Sequence, residues 1–261
     1  MLIEKIVNLE LKSKKYRKNL LFIRGGRKSL HRQFYPLPTE RSWDVLFTTY
    51  ESLYDIDFEQ VEFLVYGKLS KWQDLSYLAD RIIDKYEYVW VTDDDINLVS
   101  ADNISRAFDI AEIYKLDICQ PSLSARSYCS WRICKNSPSS LIRFTTFVEC
   151  MTPIFSKSAL TTLKDDISNA ISGCGLDLIF WHALGKPINK IGVIDAIQVE
   201  HLKPIDTEAG LFYQHLRANG INPKHEVNYF LEKYSLKEAE IYVTGFIPFI
   251  ERHSRFVDLS F

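Results

Sequence analysis

Three consecutive aspartates, Asp93, Asp94 and Asp95, end the apolar run Tyr88-Val89-Trp90-Val91-Thr92. Three neighbouring carboxylates repel one another, and a bound divalent cation relieves that repulsion. Mg²⁺ and Mn²⁺ take oxygen ligands and keep part of their coordination shell for substrate phosphates. In open α/β sheets such ligands bind beyond the carboxyl ends of the strands, where this triplet falls. A helix N-cap followed by a turn is the alternative, since Asp caps helices well.

Two further residues stand where chemistry is done. In Ser172-Gly173-Cys174-Gly175-Leu176-Asp177 two glycines precede a carboxylate that opens a helix, and glycine lets a loop approach a ligand closely. Asp177 is a base or a first-turn residue favoured by the helix dipole. His201 follows a strand and precedes Lys203-Pro204, as a ligand or a structural hydrogen-bonder.

These residues need a scaffold that delivers strand ends to one place. Leu20 to Ile23, Trp43 to Thr48 and Glu62 to Tyr66 read as buried strands, the first cut off by Arg24-Gly25-Gly26-Arg27. Leu75, Leu78, Ala79, Ile82, Ile83 and Tyr86 recur at three- and four-residue steps and predict one helix from Trp72 to the aspartate strand. A helix over 103–114 and a short strand over 117–120, ended by Pro121, continue the alternation. Alternating strands and helices predict a mostly parallel sheet with helices on both faces and right-handed crossovers. Ser124 to Ser140 is polar without a clean period and reads as a long functional loop or a hairpin. Beyond it the pattern predicts a strand over 144–150, a helix over 158–171, a helix from Asp177 through Leu184, and strand segments 191–194 and 197–199. The expected division is a catalytic domain over 1–210 and a helical, aromatic C-terminal appendage over 211–261.

Charge and cysteine usage exclude several classes. Lys+Arg number 32 against Asp+Glu 34, so no basic balance points to nucleic acid. Five cysteines without a C-x-x-C pair indicate neither a disulfide framework nor a zinc site. Met1 to Asn8 are too charged for a signal h-region, and the expectation is a cytoplasmic protein. Its aromatic end, Ile241 to Ile250, precedes Arg252, His253 and Arg255, which suits an edge strand and packed tail or a peripheral contact at the inner membrane face.

The succession Asp93-Asp94-Asp95, Gly175-Leu176-Asp177 and His201 resembles the GT-A-fold glycosyltransferases, with their D-x-D motif, later acidic helix-opening motif and metal-completing histidine. The chain resembles more closely a family of plant and bacterial proteins formerly of unknown function. The matching stretches are Val91-Thr-Asp-Asp-Asp95, Ile118-Cys-Gln-Pro-Ser122, Ser130-Trp-Arg132, Val148 to Phe155, Gly173 to Asp177, and Ile191 to Asp195 with His201. The resemblance spans roughly Asn19 to Lys203 and leaves the chain after about Gly210 uncovered. Leu176 stands where the glycosyltransferase motif usually has Glu.

The resemblance implies a GT-A-like, Rossmann-like fold and a metal-dependent glycosyltransferase, with a nucleotide-sugar donor and a glycan or glycolipid acceptor, and surface polysaccharide synthesis is a role that would suit it. Asp95 and His201, with Asp93, would hold Mn²⁺ or Mg²⁺. Asp93 and Asp94 would bind the donor ribose or metal waters, and Asp177 would be the base of an inverting transfer, with Glu149 the next candidate. Arg24 and Gly25 would approach the nucleotide, Lys68 and Lys71 would neutralise phosphate, and Trp131, Arg132 and Gly175 would meet substrate. A metal-dependent phosphotransferase or hydrolase and a non-catalytic nucleotide-sugar binder are the alternatives; the sequence has no P-loop and no H-E-x-x-H pattern.

Overall fold

Strand β1 (Asn19–Arg24) alternates its side chains between two separate cores. Leu21 and Ile23 enter one, while Leu20 and Phe22 enter the other. A strand buried on both faces reads as a continuous apolar run, as in a sheet layered with helices. A computed structural model describes residues 16–34, 37–51, 61–67, 70–205 and 210–249. Lys68, Met1 to Asn8, and Ile250 with the basic residues after it lie outside them.

The parallel half is built from β1, β2 (Trp43–Thr49), β3 (Phe63–Tyr66) and β4 (Tyr88–Asp93). β1 lies between β2 and β4, in register Arg24 opposite Thr48 and Asp93. The ends of β1 and β4 therefore emerge side by side.

Helix α1 (Lys71–Leu78) starts on a capping box in which Ser70 and Gln73 satisfy each other's backbone amides. It ends at Leu78, not near Tyr86. A turn and a 3₁₀ turn over Ile83–Lys85 complete the connection while keeping Ile82, Ile83 and Tyr86 buried. The apolar spacing there reports burial rather than a continuous helix.

The short β5 (Ile96–Asn97) and α2 (Ala101–Ile113) follow. Ser100 caps α2, which buries Ile104, Ala107, Phe108 and Ala111 along one face. β6 (Ile118–Leu123) runs through Pro121 rather than ending at it, because its register against β9 shifts between Pro121 and Ser122.

The second half departs further from the sequence pattern. β7 (Ser140–Thr145) begins before the expected strand and stops at Thr145, and residues beyond it turn out of the sheet. β8 (Ile154–Ser156) is a separate short strand. The helix expected over 158–171 is two, α3 (Lys157–Thr162) and α4 (Lys164–Asn169), divided at Leu163. α5 (Leu176–Ala183), β9 (Ile191–His201), α6 (Leu211–Ala218), α7 (Pro223–Lys233) and β10 (Val243–Pro248) complete the chain.

The sheet order is β10-β7-β9-β6-β8-β4-β1-β2-β3, with β5 paired to β9. β10 pairs antiparallel with β7, so the aromatic C-terminal stretch enters the sheet as an edge strand. α7 buries Phe230 in the core that also holds Phe180 of α5. Among the described residues no helix is long and apolar enough to cross a membrane.

Candidate functional site

The carboxyl end of β4 splays the aspartates in three directions. Lys71 Nζ donates to Asp93 Oδ1 at 2.6 Å and to the Cys150 carbonyl at 2.8 Å. The Gly26 amide donates to Asp94 Oδ2 at 3.1 Å. Asp95 turns towards β9, where its Oδ1 lies 3.6 Å from His201 Nε2. The two-residue β5 sets that meeting, because Ile96 pairs with His201 in an antiparallel ladder.

His201 is fixed from its other side. Its Nδ1 donates to the Tyr128 carbonyl at 3.0 Å, which leaves Nε2 facing Asp95. At 3.6 Å the pair is too far apart for a good hydrogen bond. An anchored imidazole beside a carboxylate is a donor set suited to Mn²⁺ or Mg²⁺, with a second-sphere bond that fixes the tautomer. Among the described residues no group of three or more His, Cys, Asp or Glu side chains is arranged to hold a metal. Asp95 and His201 are the pair that could hold such an ion, with the rest of its shell filled from substrate phosphate and water.

Electrostatics separate the three aspartates. Burial raises Asp94 to about 6 against the Gly26 amide and Lys203. Burial also raises Asp93, opposed chiefly by Lys71. For Asp95 burial is outweighed by His201 and Lys203, and its carboxyl stays below the ordinary range. Lys203 Nζ lies 3.4 Å from Asp95 Oδ2 and 3.9 Å from Asp94 Oδ1, a cation at the site that the sequence reading passed over.

Several expected contacts are rearranged. A Cβ at Gly25 would lie 2.3 Å from Asp94 Cβ, so glycine is required where β1 passes the triplet. Arg24 is engaged within the protein, with Nε 3.2 Å from Asp74 Oδ2 and the guanidinium 5.1 Å from the Tyr50 ring centre. Lys71, expected to neutralise phosphate, is bound to Asp93. Trp131 is half-buried with its ring 5.3 Å from Phe147, and Arg132 is exposed. Gly175 has φ +88°, and a Cβ there would lie 2.8 Å from Val227 Cα. Its missing side chain admits helix α7.

Asp177 opens α5 and collects backbone amides, its own and those of Cys150, Leu178 and Gly175. Burial nevertheless dominates and pushes its carboxyl from 3.8 up to about 7. Glu149, only 6% exposed, is likewise pushed up to about 7 by burial and then by Asp177. Glu149 Oε2 has no hydrogen-bond partner. Its backbone amide donates to Gln120 Oε1 at 2.6 Å, which holds the segment after β7 against β6. Glu149 thus lies within electrostatic reach of both Asp177 and His201.

Two residues of the C-terminal stretch join this site without any local sequence signal. Half-buried Tyr213 of α6 has its hydroxyl pKa raised by burial and by Cys174, Asp93, Asp177 and Glu149 around it. Glu226 of α7 accepts hydrogen bonds from the loop that leads into Asp177. The loop over 124–140 is held by Arg143, which pairs with Asp195 at 2.7 Å and donates to the Ile133 carbonyl at 2.8 Å.

A family model described as "Protein of unknown function (DUF707)" matches residues 134–243, under half of the chain. The matched stretch includes Glu149, Asp177, His201 and Glu226 and leaves the aspartate triplet outside. No curated protein matches the chain. Among solved structures, GalNAc-T7 with UDP, GalNAc and Mn²⁺ is similar at a TM-score of 0.52 and 9% identity, over 83% of this chain and 50% of that one. S. aureus TarS 1-349 is similar at 0.49 and 12%, over 83% and 71%. The 4-diphosphocytidyl-2C-methyl-D-erythritol synthase of Anaerococcus prevotii is similar at 0.47 and 8%, over 77% and 96%. The chain therefore spans half the length of the GalNAc-T7 chain, and likeness at such identity speaks for the fold alone: a mixed α/β, GT-A-like domain with a largely parallel central sheet.

Proposed function

We propose that this chain is a metal-dependent glycosyltransferase that moves a sugar from a nucleotide-sugar to a hydroxyl of a glycan or glycolipid, with inversion. The observation that carries the reading is the approach of His201 at the end of β9 to Asp95 beyond β4, with Glu149 within electrostatic reach of both His201 and Asp177, which opens α5. Asp95 and His201 would hold Mn²⁺ or Mg²⁺, which when bound neutralises charge on a diphosphate leaving group.

The chain's own residues do the rest. Asp177 takes the proton of the acceptor hydroxyl as that oxygen attacks the anomeric carbon, and a base raised to about 7 is matched to neutral pH. The partnerless Glu149 Oε2 holds a sugar hydroxyl. Asp94, tied to the Gly26 amide, faces the donor ribose, and Lys203 adds positive charge where the diphosphate would lie. Trp131 and Arg132 flank the acceptor side.

The test is calorimetric titration of UDP with Mn²⁺, followed by assay of nucleoside diphosphate released from a panel of nucleotide sugars. Wild-type protein should bind UDP only with the metal and turn over at least one donor. Asp95→Ala and His201→Ala should each remove the metal dependence, and unchanged affinity in both would overturn the assignment. A phosphotransferase or phosphohydrolase would instead leave the anomeric bond of every donor intact and release no nucleoside diphosphate from it.

A further inference from the structure

The loop that delivers Asp177 is organised from outside its own neighbourhood. Glu226, in the first turn of α7, receives the Ser172 amide at 2.9 Å, the Gly173 amide at 2.8 Å and the Ser172 hydroxyl at 3.0 Å. The Ile171 amide donates to both of its oxygens at 3.2 Å. Ser172 Oγ in turn accepts from the Cys174 amide at 3.1 Å. Four successive amides, 171 to 174, are thus satisfied by one carboxylate and the hydroxyl it holds. Asp177 stands at the end of this loop, where backbone amides favour the charged form of its carboxyl.

Successive backbone amides that converge in this way form an anion-binding concavity, which in many proteins takes an external anion. Here the anion is built in. The close passage of Val227 over Gly175 fixes the same helix against the same loop. α7 also has an anchor independent of the loop: Lys233 and Tyr234 each bond Asp166 at 2.7 Å, and Phe230 is fully buried.

We propose that Glu226 is a positioning residue for Asp177, so that a helix beyond the catalytic stretch of the chain completes the working site. Its carboxylate orders the 171–174 amides and thereby holds the turn that aims Asp177 at the acceptor. The inference rests on the reading of Asp177 as the base.

Glu226→Ala in the full chain tests it, because the variant leaves an empty amide concavity that formate can refill. Hydrogen exchange over 170–178 should become faster, and nucleoside diphosphate release should fall roughly 10- to 10²-fold, as expected for a misplaced catalytic group. UDP–Mn²⁺ affinity should stay within about twofold, since the metal pair is untouched. Formate should restore both loop protection and turnover. Asp166→Asn, which loosens α7 without touching the loop, should do neither harm nor respond to formate.

Unchanged loop protection in Glu226→Ala, or loss of turnover shared equally by Asp166→Asn without formate rescue, would sink the proposal. Asp177→Asn assayed beside it separates the two readings. Near-wild-type turnover in that variant removes the base assignment, whereas the clamp is read from exchange, which does not depend on the chemistry.

Discussion

Asp177→Asn keeps the shape of the side chain and removes its basicity, so it separates catalysis from binding and carries a stability signature of its own. Burial lifts the Asp177 carboxyl from its ordinary 3.8 to about 7. At pH 6 only about a tenth of a group with that pKa is ionised and at pH 7 about half, so wild-type turnover should climb with pH through neutrality and level about one unit above it. Glu149, also near 7, shares this titration, and the limb reports the pair.

In Asp177→Asn turnover should drop by roughly 10² or more while UDP–Mn²⁺ affinity holds. The sign of the stability effect follows from linkage. Between about pH 4 and 7 the folded protein retains this proton and the unfolded chain has lost it, so wild-type stability falls as pH rises through that window.

The Asn variant lacks this slope, and its stability relative to wild type should grow across the window. About three pH units at about 1.4 kcal/mol each set a ceiling of about 4 kcal/mol, and partial exposure of the side chain reduces it to about 2 kcal/mol. Denaturant titrations at pH 4.5 and 8 measure the difference directly. A difference that stays flat with pH, together with near-wild-type turnover, would refute both the burial argument and the base.

Gly25→Ala would place a Cβ 2.3 Å from Asp94 Cβ and 2.7 Å from its Oδ2, so the triplet must shift. UDP–Mn²⁺ affinity should weaken about tenfold, at a stability cost of about 1–3 kcal/mol; unaltered affinity and melting would show that Asp94 has room to spare. Truncation after Leu236 removes β10 together with half-buried Ile241 and Ile247, and uncovers the β7 edge with Phe144. Because β10 side chains are largely exposed, the expected loss is about 2–4 kcal/mol, read as a lower melting temperature and sunk by an unchanged one.

Features that depend on neighbours in the chain were legible from residue order. The apolar runs of β1, β2 and β4 and the 3.6-residue face of α2 are burial patterns that any layered α/β sheet imposes. The strand-end position of the triplet, the helix-start position of Asp177 and the strand-end position of His201 are local as well. Boundaries were less legible. Spacing records which side chains are buried and not which hydrogen bonds the backbone makes, so the turn after Leu78 and the break at Leu163 both read as helix.

Pairings between distant segments had no sequence signal. β5 is two residues long and exists because β9 passes beside it, yet it is what sets Asp95 against His201. Lys71 on Asp93, Arg24 on Asp74 and Glu226 on the 171–173 amides each join residues far apart in the chain. A charged side chain carries no mark of its partner in its own neighbourhood. Sequence therefore determined which groups could act and at which element ends they stand, while the tertiary fold decided which are neutralised within the protein and which remain for a ligand. That choice is a matter of distance and burial, and neither exists until the sheet has brought the strand ends together.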